Sequence, residues 1–235
     1  MIRATQHLIT HARVFQRQTI GHITLMNLDA YSSLAYTEAQ AKEDAVIDRA
    51  RARGRELGVE SVAPSTASLL TVLATTSAAR NVVEVGSGVG VSGTSLLRGL
   101  GAHAALTTID IDVDHLAATR EAYTEAGFDR SRIRAISGRA EAVLPRLTDA
   151  AYDIVFIDAD KANLADYVNQ AIRLVKIGGM ILLNDAFDQH RVAKPAVRIT
   201  STVATRNAIK LLRGDERFYT SLVPTGSGLL IAARI

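Results

Sequence analysis

The chain has 235 residues, 48% of them apolar and 22% charged, with a formal net charge of +3. This is one domain with room for a substantial core, and too weakly basic to imply a nucleic-acid partner. It lacks Cys, which excludes disulfides and thiolate metal sites, and lacks Trp, with aromatics at 5%, which argues against a base-stacking surface. No run of eighteen apolar residues occurs, so no membrane partner is expected and a cytoplasmic location is.

The first 28 residues carry Arg3, Arg13, Arg17, His7, His11 and His22 and no acid. They hold no Ser and no apolar core with a cleavage site, so residues 1–30 read as a loosely ordered arm with solvated histidines rather than a targeting peptide. Residues 31–235 read as the single domain. Thr37 to Leu57 has a helical pattern closed by Gly58. Pro64-Ser-Thr opens a second helix, Ala67–Ala78, and a first strand covers Asn81–Val85. A glycine-rich turn leads to a helix-like stretch from Val91 to Leu100, then to a second strand, Leu106–Ile111. A helix follows over His115–Ala126, between Asp114 and Gly127 as caps. The third strand is Arg132–Ile136. The fourth, Tyr152–Ile157, is an apolar run typical of a parallel strand covered on both faces. A helix over Leu164–Val175 is ended by Gly178-Gly179, and Met180–Leu183 is strand five. Phe218–Val223 and Leu229–Ala233, joined by Pro224-Thr-Gly-Ser-Gly228, form a hairpin, so the last strand is expected to be antiparallel. Strand and helix thus alternate through five units, the pattern of a parallel α/β sheet.

The turn after strand one carries the most information. Val82-Val-Glu-Val-Gly-Ser-Gly-Val-Gly90 is a buried strand, a tight turn and a helix start, with Gly86, Ser87, Gly88 and Gly90 allowing the backbone to approach a ligand and Ser92 just beyond. Twenty residues after Gly90, strand two ends at Asp110 and Ile111, where an acid can chelate a ribose diol. The pattern predicts a nucleoside-containing ligand across the first two strands. Gly88, Gly90 and Gly93 fit the dinucleotide spacing, a weak signal alone. Gly86 starts the turn earlier, and Glu84 puts a carboxylate where a cationic ligand would be suited. S-adenosylmethionine carries a sulfonium and an ammonium and has no pyrophosphate. A ligand-free turn, a dinucleotide and S-adenosylmethionine remain three readings, and Glu84 favours the last.

Ligands of open α/β sheets sit outside the carboxyl ends of the strands. Strand four ends Phe156-Ile-Asp158-Ala-Asp160-Lys161, strand five ends Leu182-Leu-Asn184-Asp185, and strand three leads to Ala140 and Glu141. Two carboxylates and an amide on adjacent strand ends form an all-oxygen cluster suited to Mg²⁺ or Ca²⁺. The plainer reading is a solvated loop in which Asp158 and Asp160 cap the next helix and Lys161 lies at the surface.

Residues 60 to 235 resemble the cation-dependent O-methyltransferases that act on catechols and caffeoyl-CoA. The resemblance rests on Glu84-Val-Gly-Ser-Gly-Val-Gly90, Thr108-Ile-Asp-Ile-Asp112, Phe156-Ile-Asp-Ala-Asp-Lys161 and Leu222-Val-Pro-Thr-Gly-Ser-Gly228. It implies a class I methyltransferase Rossmann-like fold: a seven-stranded, mostly parallel sheet with an antiparallel C-terminal strand and helices on both faces. It implies that Val62, Glu84, Gly86 and Ser92 line the methionine part of the cofactor, with Ser87, Gly88 and Gly90 in the turn. Asp110 with Ile111 would take the ribose, Ala140 and Glu141 would face the adenine, and Asp160 would lie near the cofactor. Asp158 would be the first metal ligand, with Asn184 and Asp185 completing the set, and Lys161 the general base. The family places Asp before Asn after strand five. Here Asn184 precedes Asp185, which keeps the charge but is expected to shift the geometry, because consecutive residues point to different sides.

The reaction implied is an in-line displacement from a sulfonium to a hydroxyl of a small catechol-like or phenolic acceptor, with a homodimer as the expected assembly. A divalent cation would lower a phenol pKa of ~10, and Lys161 would take the proton, a contribution of ~10²–10⁴ in rate. A degenerate metal site, with another acceptor or with cofactor binding alone, is the alternative. Phe187 to Ser201, carrying His190, Arg191, Lys194 and Arg198, reads either as a solvated loop or as a lid for an anionic acceptor.

Overall fold

The structure, a computed structural model, describes residues 31–235. The arm expected over 1–30, with His7, His11 and His22, lies outside the described residues. Residues 31–40 are helical and fall in a unit apart from the body that begins at Ala41.

The helix expected from Thr37 to Leu57 is two helices. Residues 41–44 leave helical geometry, and Asp44 (φ −108°, ψ 176°) restarts it as the N-cap of α1 (Ala45–Leu57). The Asp44 carboxylate accepts from the N–H groups of Val46 and Ile47. Composition is helical on both sides, and one Asp competing for backbone donors makes the break. α2 (Pro64–Thr76) starts at Pro64 itself, whose fixed φ suits a first turn. Then come β1 (Asn81–Val85), α3 (Val91–Gly99), β2 (Ala105–Asp110) and α4 (Val113–Glu125). The cap of α4 is Asp112 rather than Asp114, since Asp112 Oδ1 accepts from the N–H groups of Asp114 and His115. β3 (Ile133–Ser137), the short α5 (Ala140–Val143), β4 (Tyr152–Ile157), α6 (Leu164–Leu174) and β5 (Val175–Leu183) follow. α7 (Thr200–Gly214), β6 (Phe218–Val223) and β7 (Leu229–Arg234) end the chain.

The sheet order is β3-β2-β1-β4-β5-β7-β6. All neighbours are parallel except that β7 runs against both β5 and β6. This is the fold class expected from the resemblance. β5 corrects one expectation: it begins at Val175, five residues early. The register slips between the pairs Tyr152–Val175 and Ile154–Met180, and Gly178, at φ 78°, allows the irregularity. The glycine pair is therefore a bulge within a strand, not the gap before one.

The pleat sorts side chains between two cores. Val83, Val85, Val155, Ile157, Ile181 and Leu183 face α5, α6 and α7. Val82, Leu106, Ile154, Phe156 and Leu182 face α1 through α4. Burying such residues stabilises by roughly 1.5–3 kcal/mol each. Asp153 ties the central strands at their lower end. Its carboxylate accepts from the N–H groups of Arg80 (2.9 Å) and Asn81 (2.8 Å) and pairs with Lys176. The upper, carboxyl ends of β1, β2 and β4 are left to form a site.

Candidate active site

β1 runs into a turn in which Gly86, Gly88 and Gly90 adopt φ values of 89°, 51° and 87°. At Gly86 glycine is required twice over, because a Cβ there would lie 2.0 Å from the carbonyl oxygen of Asp158. The turn thus presses directly on the end of β4, where Asp158 N–H donates to Val85 O (2.8 Å). Asp110, ending β2, holds the turn from the other side. Its Oδ2 accepts from Ser87 N (3.0 Å), Ser87 Oγ (3.2 Å) and Gly88 N (3.0 Å), and its Oδ1 accepts from Asp112 N (3.0 Å). His115 Nδ1 lies 3.5 Å from that same Oδ1.

Between these elements lies a cavity of about 290 Å³. Val62, Gly86, Ser87, Gly88, Ser92, Asp110, Ile111, Ala140, Glu141, Asp158 and Asp160 all line it. Glu84, Gly90, Lys161, Asn184 and Asp185 are not among its lining residues. Five carboxylates (Glu60, Asp110, Glu141, Asp158 and Asp160) face the cavity, against Arg139 and His115. That is the wrong sign for a pyrophosphate and the right one for a ligand with cationic centres. The dinucleotide reading is set aside on this ground.

Glu84 sits elsewhere than the resemblance implies. Two-residue alternation along β1 puts it on the Val82 face, beneath α3. It is 0% exposed. Oε1 accepts from Ser92 Oγ (2.6 Å), and Oε2 accepts from Thr108 Oγ1 (2.6 Å) and Tyr123 OH (3.4 Å). Burial pushes its carboxyl up to about 7, against the Ser92 and Thr108 bonds that favour the ionised form. Glu84 therefore acts on the cavity through Ser92.

Asp158 heads a cluster of distant residues. Asn184 Nδ2 donates to Asp158 Oδ1 (3.0 Å), while Asn184 Oδ1 is buried with no hydrogen-bond partner among the described residues. Lys161 Nζ donates to the carbonyls of Asn184 (3.3 Å) and Asp185 (3.3 Å) and lies 3.5 Å from Asp185 Oδ2. Burial pushes the Asp158 carboxyl up to about 6. Asp160 faces the adjoining wall. Burial opposes its ionisation, but the Tyr167 hydroxyl (2.7 Å) and the Asn163 N–H (3.0 Å) outweigh it, and its carboxyl lies below the usual range. Sequence reasoning missed Tyr167, which also reaches Glu141 Oε2 (3.4 Å). Its position seven residues beyond Asp160, on the face of α6 that starts at the strand end, was the available signal. Glu60 and Ser61, on the α1–α2 loop, carried no such signal.

The O-methyltransferase family model matches residues 38–235. The chain belongs to the O-methyltransferase family. A Mycobacterium ulcerans protein named as an O-methyltransferase is 45% identical over 200 residues, covering 85% of this chain and 89% of that protein. A solved Corynebacterium glutamicum protein superposes with a TM-score of 0.80 at 29% identity, covering 87% of this chain and 97% of its own. The O-methyltransferase TomG from Streptomyces achromogenes, involved in tomaymycin synthesis and solved in complex with S-adenosylmethionine, gives a TM-score of 0.78 at 25% identity, covering 86% and 96%.

In this O-methyltransferase the segment after β5 is pinned. Asp185, Asp188, Gln189 and His190 all take positive φ (50°, 45°, 52° and 61°). Asp188 is buried, and its carboxylate accepts from Arg191, Ser201 and Thr202. The Arg191 guanidinium pulls it down to about 2. From α7, Arg206 donates to the carbonyls of Arg191 (3.1 Å), Val192 (3.0 Å), Val197 (2.7 Å) and Lys194. The β6–β7 turn closes the other flank: Ala186 N–H donates to Gly228 O, Phe187 N–H donates to Ser227 O, and the Phe187 ring occupies the space beside Gly228.

The residues of the expected all-oxygen cation set stand together, but their bonds are turned to other partners. Asn184 turns its amide nitrogen, not its oxygen, toward Asp158, and Asp185 pairs with Lys161. Among the described residues no three His, Cys, Asp or Glu side chains gather as a metal site. These residues, as arranged, do not fit a divalent ion.

Proposed function

We propose that the chain transfers a methyl group from S-adenosylmethionine to a hydroxyl of a small phenolic or catechol-like acceptor. The observation that carries this reading is the anionic cavity at the glycine turn, in a chain of the O-methyltransferase family. A structural neighbour solved with S-adenosylmethionine supports the cofactor. When bound, the cofactor supplies an electrophilic methyl carbon. Asp110 and the Ser87 and Gly88 backbone orient the ribose end, Glu141 and Ala140 face the base, and Ser92, fixed by Glu84, lies at the methionine end. Gly86 brings the turn against β4, so that Asp158 flanks the reacting corner. Its carboxylate receives the acceptor's proton, and the pinned segment after β5 screens that corner from water.

The test is calorimetric binding of S-adenosylmethionine, followed by transfer of labelled methyl to a panel of phenols and catechols. Micromolar binding with label appearing on a hydroxyl is expected. Binding without transfer to any hydroxyl would replace the reading with that of a cofactor binder.

A further inference from the structure

Resting on the methyl-transfer reading, we propose that the Lys161 ammonium is the resident cation beside the acceptor corner, supplying the positive charge a divalent ion would bring. Three oxygens surround Nζ: the carbonyls of Asn184 and Asp185, both at 3.3 Å, and Asp185 Oδ2 at 3.5 Å. An ammonium has three hydrogens and no lone pair, so it can donate to both carbonyls and pair with the carboxylate. The side chain is only 17% exposed. Asp185 offers both its carbonyl and its carboxylate because its backbone is left-handed, with φ 50°. One residue earlier, Asn184 donates an N–H to Asp158 (3.0 Å). An amide that donates to a carboxylate holds no cation between the two while that bond stands. The Asn184–Asp185 order thus sends one side chain to Asp158 and the next to Lys161.

This arrangement has a consequence for the acceptor class. A divalent ion chelates two neighbouring oxygens and so selects vicinal diols, whereas an ammonium is a point charge that can stabilise a single phenolate. Lys161 acts here through its charge, and monohydric phenols become acceptors alongside catechols.

The experiment uses protein loaded with S-adenosylhomocysteine and follows free Mn²⁺ by its electron paramagnetic resonance signal. The wild-type chain is expected to leave the signal unchanged up to millimolar Mn²⁺. Lys161→Ala, which removes the ammonium beside Asp185 and lets Asn184 turn its oxygen toward Asp158, is expected to remove Mn²⁺ from solution at one equivalent. Lys161→Arg keeps the charge and stays silent. In parallel, transfer to a monohydric phenol should change by less than about twofold between Mg²⁺ and EDTA. Stoichiometric Mn²⁺ uptake by the wild type, or no uptake by a Lys161→Ala chain that still binds S-adenosylhomocysteine, overturns the proposal. Failure of the wild type to bind S-adenosylhomocysteine at all sinks the methyl-transfer reading instead, and calorimetry reports that separately.

Discussion

The two ends of the cavity are built by different means. At the cofactor end, Asp110 takes hydrogen bonds mainly from backbone N–H groups of the turn, and both carboxylate oxygens have partners. At the proposed acceptor end Asp158 lines the cavity while Lys161, Asn184 and Asp185 gather behind it from two strand ends, and side chains donate every link, two of them to main-chain carbonyls. There one buried oxygen, Asn184 Oδ1, has no partner among the described residues, and the backbone at Asp185 is left-handed. A site made from main chain depends on where glycines stand. A site made from side chains depends on the identity and order of each residue, so a swap of two neighbours changes its chemistry while leaving the fold alone.

Substitutions can break this contrast, and the largest effect is expected at Gly86. Gly86→Ala places a Cβ against the Asp158 carbonyl in a backbone that disfavours side chains, at a cost of about 4 kcal/mol from overpacking and φ strain together. Denaturant unfolding should show that loss, and calorimetry the loss of cofactor binding. A substitution of this size at the cofactor end that left binding intact would end the claim that the main chain builds it.

Next is the pH dependence of stability. The Glu84 carboxyl ionises near 4.5 when unfolded and about 7 when folded. Between those values the folded state holds the extra proton, so stability is full below 4.5, falls as pH rises, and levels off above 7. The fall is about 3 kcal/mol. Asp158 contributes in the same sense between 3.8 and about 6. Melting curves from pH 4 to 8 should show the decline in the wild type, and Glu84→Gln should retain only the Asp158 part, below pH 6. An unchanged slope in that variant would mean Glu84 is not the group titrating.

Asp110→Ala should weaken cofactor binding about 100-fold while the chain still folds, since hydrogen bonds to a charged group are worth about 1.5–3 kcal/mol. Smallest is Arg206→Ala, which frees the segment after β5. It should raise the acceptor KM about tenfold, in line with lost positioning, with cofactor affinity unchanged. Equal loss of both affinities would deny that the two ends are separable.

The same contrast explains what was legible in the sequence. β1 and β4 were read to the residue because a continuous apolar run between turn residues has few other interpretations. The glycine turn and Asp110 were read from spacing, since conformation at those positions is local. Glu84 was read as a ligand-facing residue. The two-residue alternation along β1, which assigns it to the Val82 side, was in the sequence and outvoted by the motif. The early start of β5 was hidden because a glycine pair marks a bulge and a break alike, and only the partner strand decides. The Asp44 break was masked by helix-forming neighbours on both sides. At the acceptor corner the residues were found but their partners were not, because which way an amide turns depends on side chains more than twenty positions away.

Arg206 holds its segment almost wholly by carbonyl oxygens, a feature every amino acid carries. The shape of that segment is consequently indifferent to most of its own spelling. Positions such as Lys194 and Arg198 can be rewritten, by natural drift or in a mutant library, without collapsing that segment. A segment moored in this way can change its side chains and keep its path.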